Sequence, residues 1–106
     1  MSEIHDVVRG KQPELRALCV KYRVALLAVF GSAATGRFVN ATSDLDFLVE
    51  FQPMAAVDRA ASYFGLLESL EALFARPIDL VESSAIRNPY FRASVDETRV
   101  DLYAAA

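Results

Sequence analysis

The 106-residue sequence holds one cysteine, one histidine and no tryptophan. A lone Cys19 cannot close an internal disulfide, and no Cys/His cluster exists to hold zinc. Basic residues are outnumbered, 11 Lys and Arg against 14 Asp and Glu, for a net charge of −3. That balance leaves no basic stripe for a nucleic-acid backbone, so direct nucleic-acid binding is not expected. No apolar run approaches the ~18 residues of a membrane span, and the opening MSEIHDVVRG has no stretch of signal-peptide character. Internal repeats, low-complexity segments and linkers are also missing. What is present is a 54% hydrophobic composition that suits one packed core. The expectation is a single soluble, cytoplasmic domain spanning 1–106, with little room for a separate substrate-binding lobe.

Helix and strand signals alternate along the chain, which reads as an α/β (α+β) domain. Pro13 suits a first helical turn, and Leu15, Leu18, Cys19 and Tyr22 follow at i, i+3, i+4 and i+7, predicting a helix over 12–23. Val24-Ala-Leu-Leu-Ala-Val-Phe30 is a short apolar run that reads as a buried strand ending at Gly31-Ser32. In Ser43-Asp-Leu-Asp-Phe-Leu-Val-Glu-Phe51, Leu45, Phe47, Val49 and Phe51 share one face. Asp44, Asp46, Leu48 and Glu50 share the other. A helix over 55–75 follows, with Val57, Ala60, Ala61, Phe64, Leu67, Leu70 and Phe74 as its expected core stripe and Arg76-Pro77 as its stop. Ile78-Asp-Leu-Val81 reads as a third strand. Asn88 is an expected N-cap, with Pro89 opening a last helix that carries Phe91, Val95 and Leu102 on one side.

Three features carry chemistry. Gly31-Ser32 joins a buried strand to a polar turn, where glycine allows close backbone approach and serine adds a hydroxyl. If 32–36 were a short helix, its N-terminus would suit phosphate, although a strand ending in Gly-Ser is most often a simple turn. Gly31-x-x-x-x-Gly36 is followed by Arg37-Phe38 rather than Lys and Ser/Thr, which excludes a P-loop. The second feature is Asp44-Leu45-Asp46, whose i and i+2 carboxylates point the same way on an extended chain. Such hard oxygen ligands favour Mg²⁺ or Mn²⁺. A solvated acidic face is the ordinary alternative, and Leu48 on that face argues against it. The third is Asp79, set between Ile78 and Leu80. It reads either as an edge-strand acid facing water or as a third carboxylate beside the pair.

Together, Phe30-Gly-Ser-Ala-Ala-Thr-Gly-Arg37, Ser43-Asp-Leu-Asp-Phe-Leu-Val49 and Ile78-Asp-Leu80 resemble the minimal nucleotidyltransferase (MNT) domain of the DNA polymerase β-like superfamily. Ile86-Arg-Asn-Pro-Tyr90 and Val95-Asp-Glu-Thr-Arg-Val-Asp-Leu-Tyr103 look like the terminal helix of such proteins. The similarity runs from about residue 24 to the end. It implies a small mixed β-sheet packed against helices, the nucleotidyltransferase fold. It also implies that Gly31 and Ser32 bind the triphosphate of ATP, and that Arg37 contacts phosphate unless it is only a solvated loop cation. Asp44, Asp46 and Asp79 would hold metal, two Mg²⁺ ions or Mn²⁺, with Asp79 assisting deprotonation of the attacking hydroxyl. Free-standing MNT proteins resembling this one pair with a HEPN partner, a helical RNase toxin, and transfer AMP to a toxin tyrosine. The resemblance therefore implies an antitoxin that adenylylates its partner within a hetero-oligomer. The alternatives are a non-catalytic module that neutralises the partner by masking it, and transfer to a small molecule, which the absence of an acceptor lobe disfavours.

Other reactive residues read as structural. His5 stands alone, with no Ser/His/Asp arrangement around it. Cys19, Tyr63 and Phe64 fall on helical stripes expected to be core. Core packing is also the expectation for Phe91, whereas Tyr90 with Phe91 is open to a partner-facing role and Tyr103 fits either. Asp96, Glu97, Arg99 and Asp101 form an expected solvated helix face.

Overall fold

A computed structural model describes residues 6–35 and 44–105. His5, Gly36, Arg37 and Ser43 therefore lie outside the described residues. The elements are α1 (Asp6–Arg9), α2 (Gln12–Lys21), β1 (Val24–Phe30), β2 (Leu45–Phe51), α3 (Ala56–Phe74), β3 (Ile78–Glu82), α4 (Pro89–Thr98) and β4 (Val100–Ala104). The sheet order is β3-β2-β1-β4. β1 runs antiparallel to both β2 and β4, while β2 and β3 run parallel because α3 crosses between them. This is the mixed sheet packed against helices of the nucleotidyltransferase fold.

Both faces of the sheet are covered. Leu45, Phe47 and Val49 of β2 join Leu27 and Val29 of β1 in a core closed by Leu15 and Cys19 of α2 and by Leu66, Leu70 and Phe74 of α3. On the opposite face, Ala28, Phe30 and Leu48 meet Val95 of α4. The face of β2 that bears the acids is thus sealed in its middle by Leu48, which is fully buried. Asn88 caps α4, its side-chain oxygen accepting from the N–H groups of Tyr90 and Phe91.

Two expectations need correcting. The last helix stops at Thr98, because Arg99 turns to extended backbone and residues 100–104 pair with β1 as β4. Leu102 is therefore a strand residue and does not share a helix face with Phe91 and Val95. The predicted core stripe of α3 is divided as well: Leu66, Leu70 and Phe74 face inward, whereas Val57, Ala60, Ala61 and Phe64 are exposed. The stripe fails at its start because residues 55–61 are all exposed, so this end of the helix lies beyond the cover of the core.

Candidate active site

The end of β1 and the start of β2 meet where Phe30 pairs with Asp46. Directly after Phe30, Gly31 takes a left-handed backbone (φ +73°) and opens a single 3₁₀ turn over Gly31–Ala33. That turn closes with the Ala34 N–H donating to the Gly31 carbonyl at 3.1 Å. A Cβ on Gly31 would lie 2.8 Å from Asp46 Oδ2. Only glycine both adopts this φ cheaply and lets the carboxylate come so near. Ser32 is exposed beside it, and Thr35 donates its hydroxyl to the Ser32 carbonyl at 3.1 Å. Of the two readings open for this stretch, a short helix or a simple turn, the described part takes the turn.

The parallel register of β2 and β3 sets Asp79 opposite Asp46. Paired residues of neighbouring strands project to the same face, about 4.8 Å apart across the ladder. Asp44, two residues before Asp46, lies just ahead of β2 and is exposed; Asp46 is half-buried and Asp79 exposed on the outer strand. Burial first, then the negative charges of Asp79 and Asp44, together raise the Asp46 carboxyl pKa to about 6. Among the described residues none of the three acids is held in an ion pair; the ion pairs there join Arg9, Lys11, Arg59 and Arg99 to other carboxylates. Thus Gly31, Ser32, Asp46 and Asp79 converge, with Asp44 adding its charge.

This set of hard oxygens, with no cation paired to it among the described residues, suits a divalent ion such as Mg²⁺. Among the described residues no three acids, thiols or imidazoles lie close enough together to hold a metal ion by themselves. An ion here would draw its remaining ligands from water and phosphate oxygens, as Mg²⁺ does in nucleotide sites.

Two nearby residues were not legible as site residues. Thr98, at the end of α4, accepts a hydrogen bond from the Gly31 N–H at 2.9 Å. Tyr63 of α3 donates its hydroxyl to the Leu80 carbonyl of β3 at 2.6 Å, and its own pKa is raised by burial and by Asp79 and Glu82. In the sequence Thr98 is one hydroxyl inside a charged run, and only the fold brings it to Gly31. A separate cleft of about 320 Å³ opens at the far ends of β2 and β3, lined in part by Glu50, Arg59, Glu82 and Arg92. Glu50 stands four residues from Asp46, about 13 Å along an extended strand, so this cleft is not the acid cluster.

A mixed sheet carrying a Gly-Ser turn beside carboxylates on two neighbouring strands defines the nucleotidyltransferase class. The chain belongs to the nucleotidyltransferase domain family, whose model matches residues 15–102. It is 34% identical to a candidate protein adenylyltransferase of Methanocaldococcus jannaschii over 92% of each chain. Its fold matches a candidate minimal nucleotidyltransferase with TM-score 0.66 and 27% identity, covering 90% of this chain and 92% of that one. It also matches, at TM-score 0.58 and 14% identity, a chain of the complex between a tri-AMPylated Shewanella oneidensis HEPN toxin and an MNT antitoxin, covering 92% and 72%. That last likeness concerns the fold alone.

Proposed function

We propose that this protein is a Mg²⁺-dependent protein adenylyltransferase that moves AMP from ATP to a tyrosine of a HEPN-type toxin, acting as its antitoxin. The observation that carries the reading is the register setting Asp79 opposite Asp46, beside the Gly31-Ser32 turn. Support for the acceptor comes from the relative named as a candidate protein adenylyltransferase and from the AMPylated toxin held by a protein of this fold.

Ser32 offers its hydroxyl to the triphosphate, and Asp44, Asp46 and Asp79 would hold a divalent ion beside it. When bound, that metal supplies charge neutralisation and an activated acceptor hydroxyl. Asp79, on the outer strand and exposed, takes the proton from the acceptor hydroxyl in this reading. The hydroxyl oxygen then bonds to the α-phosphorus as the bond to the β-phosphate oxygen breaks, and pyrophosphate leaves. Exposure of Asp79 at the sheet edge suits an acceptor brought by another protein.

The test is co-expression with a HEPN-type protein encoded beside this one, followed by intact-mass measurement of both chains and titration with Mg-ATP. An adenylyl increment on the partner, lost in the Asp44→Asn/Asp46→Asn variant, is expected. Equal protection by that variant with an unmodified partner would instead establish neutralisation by masking.

A further inference from the structure

The Gly31 N–H, at the turn assigned to the triphosphate, is already committed: it donates to Thr98 Oγ1, 67 residues further on, at 2.9 Å. The Thr98 hydroxyl proton is directed back at the Ser94 carbonyl, 3.5 Å away, which turns an oxygen lone pair toward Gly31. Thr98 does not float. One turn earlier, Val95 is fully buried against Ala28, Phe30 and Leu48, and Phe91 meets the Phe30 ring edge-on at 6.1 Å. The C-terminal end of α4 is thereby fixed against the residue that precedes the turn.

We infer that Thr98 is a positioning residue for the nucleotide. It ties down the Gly31 peptide, and so fixes where Ser32 presents its hydroxyl beside Asp46. Gly31 then contributes no N–H to phosphate. Its part is the left-handed φ and the close approach to Asp46, while the donor of the pair is Ser32. The inference rests on the nucleotidyltransferase reading, because without nucleotide there is nothing to position. It also gives α4 a role at the site besides covering the sheet.

The experiment compares Thr98→Val, which keeps the shape and loses the acceptor, with Thr98→Ser, which keeps the hydroxyl. Amide exchange of Gly31 followed by NMR in the free protein reads the hydrogen bond itself. It should accelerate in Thr98→Val and return toward wild type in Thr98→Ser. Mg-ATP affinity and the kinetics of transfer read the consequence. Misplacing the Ser32 hydroxyl would cost at most one hydrogen bond to phosphate, which corresponds to up to about tenfold weaker nucleotide binding and a raised KM for ATP. The KM for the protein acceptor should stay unchanged, and Thr98→Ser should lie within about twofold of wild type. A structural role would instead move melting temperature and both KM values together. Should Thr98→Val not fold, Thr98→Ala removes the same hydroxyl without β-branching. Wild-type protein that binds no Mg-ATP overturns the nucleotidyltransferase reading and this inference with it. Wild type that binds, with a folded Thr98→Val or Thr98→Ala variant binding equally well, overturns the inference alone.

Discussion

Asp46 is pressed from three sides: it is half-buried, it faces Asp79 across the ladder, and it follows Asp44 by two residues. Its carboxyl binds a proton more tightly in the folded protein, near pH 6, than in an unfolded chain, where the value is about 3.9. The stability it contributes is therefore fully present below the unfolded value and is lost as pH rises through about 6. Metal-free Asp46→Asn is expected to melt higher than wild type at pH 7.5. The gap should close as the pH falls from 6 toward 4, and thermal melts across that range check it. Gly31→Ala is expected to act in the opposite direction. Its methyl would stand 2.8 Å from Asp46 Oδ2 on a left-handed backbone that costs about 1–2 kcal/mol for a non-glycine residue. A lower melting temperature and lost Mg-ATP binding should follow together. Asp44 and Asp46 stood out as a pair because extended-chain periodicity puts residues i and i+2 on one face, although only Asp46 lies within β2. Asp79 stood out as an acid inside an apolar strand, but its place opposite Asp46, like that of Thr98 beside Gly31, depends on parallel pairing and on helix docking, which no local spacing encodes.

At the scale of elements, α3 separates a helical pattern from a buried one. Val57, Ala60, Ala61 and Phe64 repeat at helical spacing, as do Leu66, Leu70 and Phe74, but only the second set meets the sheet. Phe64 is 63% exposed and Phe74 only 6%. Phe74→Ala, which would also remove a ring tilted against Phe47 at 5.8 Å, is expected to cost about 3–5 kcal/mol in chemical denaturation. Phe64→Ala should stay within about 0.5 kcal/mol. Most elements were readable from their punctuation: Pro13 within the first turn, Arg76-Pro77 after α3, and Asn88-Pro89 before α4. β4 was not. Five residues of mixed character fit either period, and what decides is the open edge of β1, which pairs with Leu102's neighbours Asp101 and Tyr103. The other sheet edge is β3, where the Tyr63 hydroxyl occupies the Leu80 carbonyl. Tyr63→Phe should therefore lower stability by about 1 kcal/mol, measured by urea denaturation.

For the molecule as a whole, the sheet carries one core on each face and leaves its carboxylates at one end of β2 and β3. A packed two-sided sheet has no structural need for three acids that face no cation among the described residues, so their repulsion is a cost the fold carries for a ligand. Such a cost has a thermodynamic signature in which stability and ligand response change in opposite directions. Mg²⁺ with a non-hydrolysable ATP analogue at about 100 times Kd should stabilise wild type by about 2.7 kcal/mol. For a domain near this size that is a rise of roughly 10 °C or more in melting temperature. The Asp44→Asn/Asp46→Asn variant should begin from a higher ligand-free melting temperature at pH 7.5 and gain almost nothing from the same addition. Monovalent salt at matched ionic strength separates specific coordination from screening, because screening lifts a repulsive acid cluster without nucleotide. If salt alone reproduces the rise, or if the variant gains as much as wild type, the carboxylates are a surface feature and not the metal site.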